Sequence, residues 1–233
     1  VDHRGQGISQ RLTENKHQGH VENFSDYVTD LRQLIEITTA DYDDDNLFLL
    51  AHSMGGAISA LYLQQYPNTF KAAVLSSPMI AINSGVIPYS FAKTIAKAGL
   101  FINELLSTKP WYFIGQGDYE STDFAKNRLT HCENRFDIFE QLYRENDAIK
   151  LGGITYKWLI EAIKANEQIM ANVDKIKTPL LVLQAGADSI VDNTSQNVFC
   201  AQLKDNKTSN DVCNPTVIKG ARHELFFETD NLR

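Results

Sequence analysis

A serine set between a strand-like run and a helix-like run is the feature that most constrains this fold. The sequence Ala-His-Ser-Met-Gly-Gly at 51–56 follows the apolar run 47–50 and precedes a stretch of helical character at 57–63. A strand, a tight turn and a helix in this order present the serine hydroxyl clear of a sheet, with the next backbone N–H facing the same space. Ser53 is therefore the first candidate nucleophile.

The turn also makes a steric prediction. It requires a positive φ at Ser53 and small residues two positions before and after it. Ala51 and Gly55 meet this requirement, although glycine is the more usual residue at the first position. The competing interpretation is a serine that caps the helix after a buried strand, because serine is a preferred N-cap residue.

Composition narrows the classes of function. The 233 residues include 22 Lys and Arg against 29 Asp and Glu, a net charge of −7, without a basic cluster that would predict nucleic-acid binding. The 43% hydrophobic content is typical of a soluble globular domain. The uncharged stretch 72–92 contains prolines, a glycine and several serines, so it predicts a strand and a loop better than a membrane span.

Four apolar runs, at 47–51, 72–76, 180–184 and 216–218, predict strands. A helix at 57–65 separates the first two and implies parallel strands joined by a crossover, as in an α/β fold with a mostly parallel sheet. The sequence therefore predicts a core made of residues 1–78 and 178–233, and a helical cap or lid inserted at 79–177.

The apolar residues of this insertion recur mostly at helical spacing and predict three helices. The marker residues are Phe91, Ile95, Ile102 and Leu105 for the first, Phe136, Phe139, Leu142 and Tyr143 for the second, and Trp158, Ile160, Ile163 and Ile169 for the third. An insertion between strands lies over the strand ends, where ligands bind in open α/β sheets. A lid and an ordinary packed subdomain are both compatible with this pattern.

A nucleophilic serine needs a base and an orienting carboxylate, which are expected on loops after later strands. The loop after the third strand contains Asp188 and Asp192, and His223 follows the fourth strand as the only histidine beyond the acid. The order Ser53, Asp188, His223 is the chain order of nucleophile, acid and base in α/β-hydrolases. Asp188 is favoured because it comes first in its loop, and Asp192 is expected to cap the next helix.

The sequence contains few signs of a metal site or of a reactive cysteine pair. His223 and Glu224 do not form a zinc motif, because a second histidine is absent from the required position. Cys132, Cys200 and Cys213 lack a C-x-x-C pair; Cys200 and Cys213 can bridge in an oxidising compartment, and free thiols are the alternative. The sequence predicts neither a metal nor a cofactor.

The segment Val-Asp-His-Arg-Gly-Gln-Gly-Ile-Ser at 1–9 resembles the D-x-R-G-x-G-x-S loop of α/β-hydrolases in the monoglyceride lipase and lysophospholipase group, one of the serine aminopeptidase S33-like groups. The serine motif fits the same group. Segments at 127–131, 152–156, 191–193 and 219–224 resemble, more specifically, the bacterial lysophospholipase L2 family. The resemblance covers nearly the whole chain, including the insertion.

The resemblance implies that a lysophospholipid acyl ester is hydrolysed to a fatty acid and a glycerophosphodiester. It makes Ser53 the nucleophile, His223 the base, Asp188 the orienting acid and the Met54 N–H an oxyanion donor. A second donor in this group comes from a loop that precedes the position of Val1. The chain begins without a methionine and stops at Arg233 directly after a helix-like approach, so it looks truncated at both ends. We therefore expect residues 1–233 alone to be unstable or inactive.

Alternative functions use the same site. A monoacylglycerol lipase or general carboxylesterase needs the same three residues, and a non-catalytic binding scaffold is disfavoured because all three are present. Basic residues of the insertion are candidates for meeting a phosphate, although each is more often a surface charge; they are Arg128, Arg135, Arg144 and Lys157. The expected partner is a lysophospholipid or monoacylglycerol, in the cytoplasm or at the inner membrane through peripheral contact.

Overall fold

A parallel sheet forms the centre of the computed structural model, which describes residues 1–40, 46–85, 87–205 and 213–233. Its strands within these ranges are β1 (Phe48–His52), β2 (Ala72–Ser76), β3 (Leu180–Ala185) and β4 (Thr216–Ile218). They pair in the order β1-β2-β3-β4, and every pairing is parallel. The four predicted strands are confirmed to within one residue at each end, and all four carboxyl ends meet at one edge.

Helices connect the strands, because parallel neighbours need a crossover. The α-helices of the described ranges are α1 (Ser25–Thr39), which precedes β1, and α2 (Met54–Gln65), α3 (Tyr89–Leu106), α4 (Glu133–Glu145), α5 (Tyr156–Ala171) and α6 (Asn193–Asp205). Helix α2 joins β1 to β2, and α6 joins β3 to β4. The three helices expected between β2 and β3 occur as α3, α4 and α5.

The helix that begins after the serine is buried on every side. All residues of α2 from 56 to 64 are buried, and the helix packs against both α1 and α5. The Gln64 amide donates to the Ile169 carbonyl at 2.7 Å, and the Trp158 indole donates to the Tyr27 hydroxyl at 3.2 Å. Helix α5 therefore belongs to the main hydrophobic core as well as to the 79–177 segment, and it holds α2 firmly in place.

Helix α3 differs because much of its apolar surface is uncovered. It packs on α5 around Ala96, and Gly99 lies so close to the Tyr156 ring that an added Cβ would be 2.2 Å from it. Five large apolar side chains of the same helix are 45–70% exposed: Phe91, Phe101, Ile102, Leu105 and Leu106. Across the described ranges, none of the helices combines the length and hydropathy required to cross a membrane.

A disulfide joins Cys200 of α6 to Cys213, just before β4. Both cysteines are buried, whereas Cys132 is a free thiol. The sequence left open whether Cys200 and Cys213 form a bridge or stay free thiols, and in this structure they form the bridge.

The closest approach behind the serine turn is at Gly56, one residue beyond the position that the motif indicates. A Cβ at Gly56 would lie 2.7 Å from the Pro78 Cβ, whereas a Cβ at Gly55 would lie 3.9 Å from the Ala51 Cβ. We expect Gly56→Ala to lower the free energy of unfolding by about 1–3 kcal/mol through overpacking. Gly55→Ala is the control, since alanine is the better helix former. Denaturant unfolding measures both, and equal stabilities would contradict a rigid contact with Pro78.

Candidate active site

Ser53 occupies a strained turn between β1 and α2. Its φ of 52° and ψ of −119° agree with the positive φ predicted for this turn. Its N–H donates to the Ser76 carbonyl at 3.0 Å, and its carbonyl accepts from the N–H of Met79 at 2.9 Å, so β2 and the loop after it hold the turn. The Ser53 side chain makes no capping hydrogen bond to α2, which removes the helix-cap interpretation.

The hydroxyl instead meets His223. The distance from Ser53 Oγ to His223 Nε2 is 2.8 Å, and His223 Nδ1 is 2.8 Å from Asp188 Oδ2. An ionised carboxylate only accepts hydrogen bonds, so Nδ1 donates to Asp188 and Nε2 is left to accept the hydroxyl proton. Both the imidazole and the carboxylate are almost fully buried, while Ser53 is partly exposed. The three predicted side chains therefore lie in one hydrogen-bonded series, which is the arrangement that a nucleophile, a base and an orienting carboxylate require.

The Asp188 carboxylate is held in its charged form. Burial acts to raise its pKa, but the hydrogen bond and charge of His223, together with the N–H groups of Ile190 and Val191, outweigh burial. The pKa of Asp188 therefore lies below its ordinary value. The two N–H groups donate to Oδ1 at 2.8 and 3.1 Å, which leaves Oδ2 to orient the imidazole.

The rival carboxylate, Asp192, has a different place. Its Oδ2 accepts from the N–H of Ser195 at 2.8 Å, and its Oδ1 accepts from the N–H of Thr194 at 3.3 Å. These are the bonds of a helix N-cap at the start of α6. The structure thus brings Asp188, and not Asp192, to the histidine.

Met54, the candidate oxyanion donor, is the first residue of α2. N–H groups in the first turn of a helix lack intrahelical acceptors and lie at the positive end of the helix dipole. The Met54 sulfur also contacts the Gln6 amide at 3.6 Å, so the loop of residues 1–9 packs beside the serine turn. The backbone position is suitable for an oxyanion donor, and that role stays a prediction.

Sequence reasoning missed Ser77, which follows β2. It is fully buried, and in the described part of the chain it is the non-glycine residue other than Ser53 that has a positive φ, at 43°. Its hydroxyl donates to the His223 carbonyl at 2.9 Å, and its N–H donates to the Leu183 carbonyl at 2.8 Å. Strained backbone conformations persist where the surrounding structure holds them. Here the strained residue is held between β3 and His223, and its hydroxyl supports the backbone of the candidate base.

Ser77 is expected to act as a positioning residue. Because Ser77→Ala removes the only side-chain bond described for the His223 carbonyl, we expect kcat for ester hydrolysis to fall about tenfold with KM nearly unchanged. Ser76→Ala is the matched control, since Ser76 is equally buried but its hydroxyl faces His52 at 3.4 Å. Steady-state kinetics of the two variants make the comparison, and similar losses in both would mean a general packing effect.

His52, the last residue of β1, packs beside the candidate base. Its ring centre is 4.8 Å from that of His223, and its Nε2 is 3.2 Å from a Glu224 carboxylate oxygen. Burial acts to raise the pKa of Glu224, but pairing with His52 outweighs it and lowers that pKa. These three residues form the one group in the described ranges that is compact enough to share a metal ion. His223 would have to leave Ser53 or Asp188 to ligate one.

Comparison with known proteins adds three findings. Residues 1–230 match the family described as serine aminopeptidase, S33. Lysophospholipase L2 of Escherichia coli is 38% identical over 233 residues, all of this chain and 67% of that protein, and the probable lysophospholipase L2 of Haemophilus influenzae is 34% identical over 232 residues, covering 69% of its length. The crystal structure of Paleococcus ferrophilus monoacylglycerol lipase superposes with a TM-score of 0.65 at 22% identity, over 91% of this chain and 71% of that one.

Proposed function

This chain belongs to the serine aminopeptidase S33 family, and we propose that it cleaves the acyl ester of lysophospholipids to a fatty acid and a glycerophosphodiester. It is a carboxylic ester hydrolase with the α/β-hydrolase fold. The hydrogen-bonded series of Ser53, His223 and Asp188, with both distances at 2.8 Å, supports the reaction most strongly.

The reaction follows from the roles of these groups. Ser53 attacks the ester carbonyl while His223 Nε2 accepts the hydroxyl proton, and the Met54 N–H donates to the developing oxyanion. The histidine then returns the proton to the glycerol oxygen as the ester bond breaks, leaving the acyl group on the serine. A water molecule attacks this acyl-enzyme with His223 again as base. The histidine then returns that proton to the Ser53 oxygen as the acyl bond breaks, and the fatty acid leaves. Asp188 holds the imidazole in the required tautomer throughout.

The segment 79–177 is proposed to cover this site as a lid and to meet the lipid surface. The uncovered apolar side chains of α3 support this role, since exposed apolar patches mark surfaces that contact membranes or partners. We expect Phe101→Glu combined with Leu105→Glu to weaken binding to phospholipid vesicles about tenfold or more, because two exposed apolar side chains that would enter the lipid are replaced by charges. Vesicle cosedimentation measures this. Unchanged binding would place the contact elsewhere.

Side-by-side substrates test the proposed function. The protein expressed at full length is given lysophosphatidylethanolamine and a monoacylglycerol with the same acyl chain, and fatty-acid release is measured with Ser53→Ala as the control. A preference for the lysophospholipid that the substitution abolishes supports the proposal. An equal or reversed preference would make the protein a monoacylglycerol lipase or general carboxylesterase, and no release from either would indicate a binding scaffold.

A further inference from the structure

A guanidinium group lies directly against the loop that carries Asp188. Arg128 Nε donates to the Ser189 hydroxyl at 3.0 Å, and Nη2 donates to the Ser189 carbonyl at 2.6 Å. Ser189 is the next residue after Asp188, and the Asp188 carboxylate is hydrogen-bonded to His223. The cation therefore lies against the acid loop at the carboxyl end of β3, although it comes from the 79–177 segment.

The turn that carries Arg128 is fixed to the loop of the base as well. Buried Asn127 accepts from the N–H of Leu129 at 2.7 Å and donates to the Thr130 carbonyl at 2.7 Å. The N–H of Glu224 donates to the Leu129 carbonyl at 2.9 Å. Through Arg128 the turn contacts the loop of the acid, and through Leu129 it contacts the loop of the base. These two contacts fix the backbone from which the guanidinium extends.

Arg128 also keeps its charge available. It is exposed, and no carboxylate of the described ranges lies within ion-pair distance of it. Two other cations of this segment are engaged, since Arg135 is 2.5 Å from Asp230 and Lys157 is 3.9 Å from Glu22. Arginine carries five N–H donors, and the two bonds to Ser189 leave others of this planar fork for an anion.

We propose that Arg128 binds the phosphodiester of the lysophospholipid head group while the acyl ester lies at Ser53; this inference rests on the proposed function. In a lysophospholipid the glycerol unit alone separates the ester from the phosphate, so an anion site must lie close to the triad. Phosphate oxygens match the arginine fork in charge and geometry. A monoacylglycerol presents a hydroxyl at the same place. Arg128 is therefore the residue that separates the two substrate classes.

The ratio of kcat/KM for lysophosphatidylethanolamine to that for a monoacylglycerol of the same acyl chain is the readout. In Arg128→Gln this ratio is expected to fall about ten- to a hundredfold, the range for a lost charge-assisted hydrogen bond. Arg128→Lys keeps the charge but lacks the planar fork of donors. Its ratio is expected to lie between those of wild type and Arg128→Gln. The ratio cancels any general loss of activity caused by a loosened Asp188 loop.

A control variant tests whether the effect is specific to Arg128. Arg144→Gln removes another exposed arginine of the same segment and is expected to keep the wild-type ratio. Equal losses on both substrates in Arg128→Gln would overturn the inference and leave Arg128 as a support for the acid loop. A wild-type protein that does not cleave lysophosphatidylethanolamine would instead refute the proposed function.

Competition identifies the source of the phosphate. Glycerophosphoethanolamine is expected to inhibit wild type more strongly than Arg128→Gln, and inorganic phosphate is the comparison. Competition by the glycerophosphodiester alone supports a head-group site, and competition by both extends the site to free phosphate. Equal inhibition of the two proteins by glycerophosphoethanolamine would contradict the inference.

Discussion

Replacement of Ser53 by alanine is expected to lower kcat for ester hydrolysis by about a millionfold, as for other nucleophilic serines. The alanine leaves His223 without a proton to accept, while the Met54 N–H and the substrate contacts remain. Fatty-acid release from lysophosphatidylethanolamine measures the loss. Labelling with a fluorophosphonate probe, which reacts with activated serines, is expected to disappear in the same variant.

Stability gives an independent check on the same position. Ser53 has a positive φ that glycine adopts without strain, so Ser53→Gly is expected to be inactive and more stable than Ser53→Ala by about 1 kcal/mol. Thermal unfolding of the two variants measures the difference. Probe labelling of either variant at the wild-type level would assign the nucleophile to another residue, and an equal stability would argue against the strained turn.

The second large effect is expected at Asp188. An asparagine at this position offers an amide in place of the carboxylate and favours the wrong tautomer of His223, so kcat is expected to fall about ten thousandfold. Asp192→Asn is the matched control four residues away. Asparagine caps helices as well as aspartate does, so this variant is expected to keep both kcat and stability. The opposite ranking of the two variants would make Asp192 the acid.

Wild type and Asp188→Asn are expected to differ in how their stability depends on pH. The pKa of Asp188 is lower in the folded protein than in the unfolded chain, so its ionised form stabilises the fold. This contribution is fully present above the unfolded pKa of about 4 and is lost as the pH falls through the folded pKa. The difference in unfolding free energy between wild type and Asp188→Asn is therefore expected to shrink below about pH 4. Denaturant unfolding at pH 7 and at pH 3 measures it, and a constant difference would contradict the stabilising charge.

Local patterns in the sequence determined much of this protein. The strands and the crossover helix follow from runs of apolar residues, because a buried parallel strand needs little more than such a run and a turn. The positive φ at Ser53 follows from the short path between β1 and α2. The order of Ser53, Asp188 and His223 follows from their places after successive strands, because parallel strands deliver their carboxyl ends to one edge.

Tertiary packing decided the contacts that leave no local pattern. Ser77 supports the His223 carbonyl from 146 residues away, and Arg128 reaches Ser189 across 61 residues. Gly56 rather than Gly55 makes the close approach, because Pro78 returns to the back of α2 only after β2 has paired with β1. The outward apolar face of α3 also results from tertiary packing. Helix α5 covers one side of α3, and the opposite side of α5 packs against α2, so the outer side of α3 stays uncovered. Periodicity predicts that a helix has an apolar face, but only the packed chain decides what covers it.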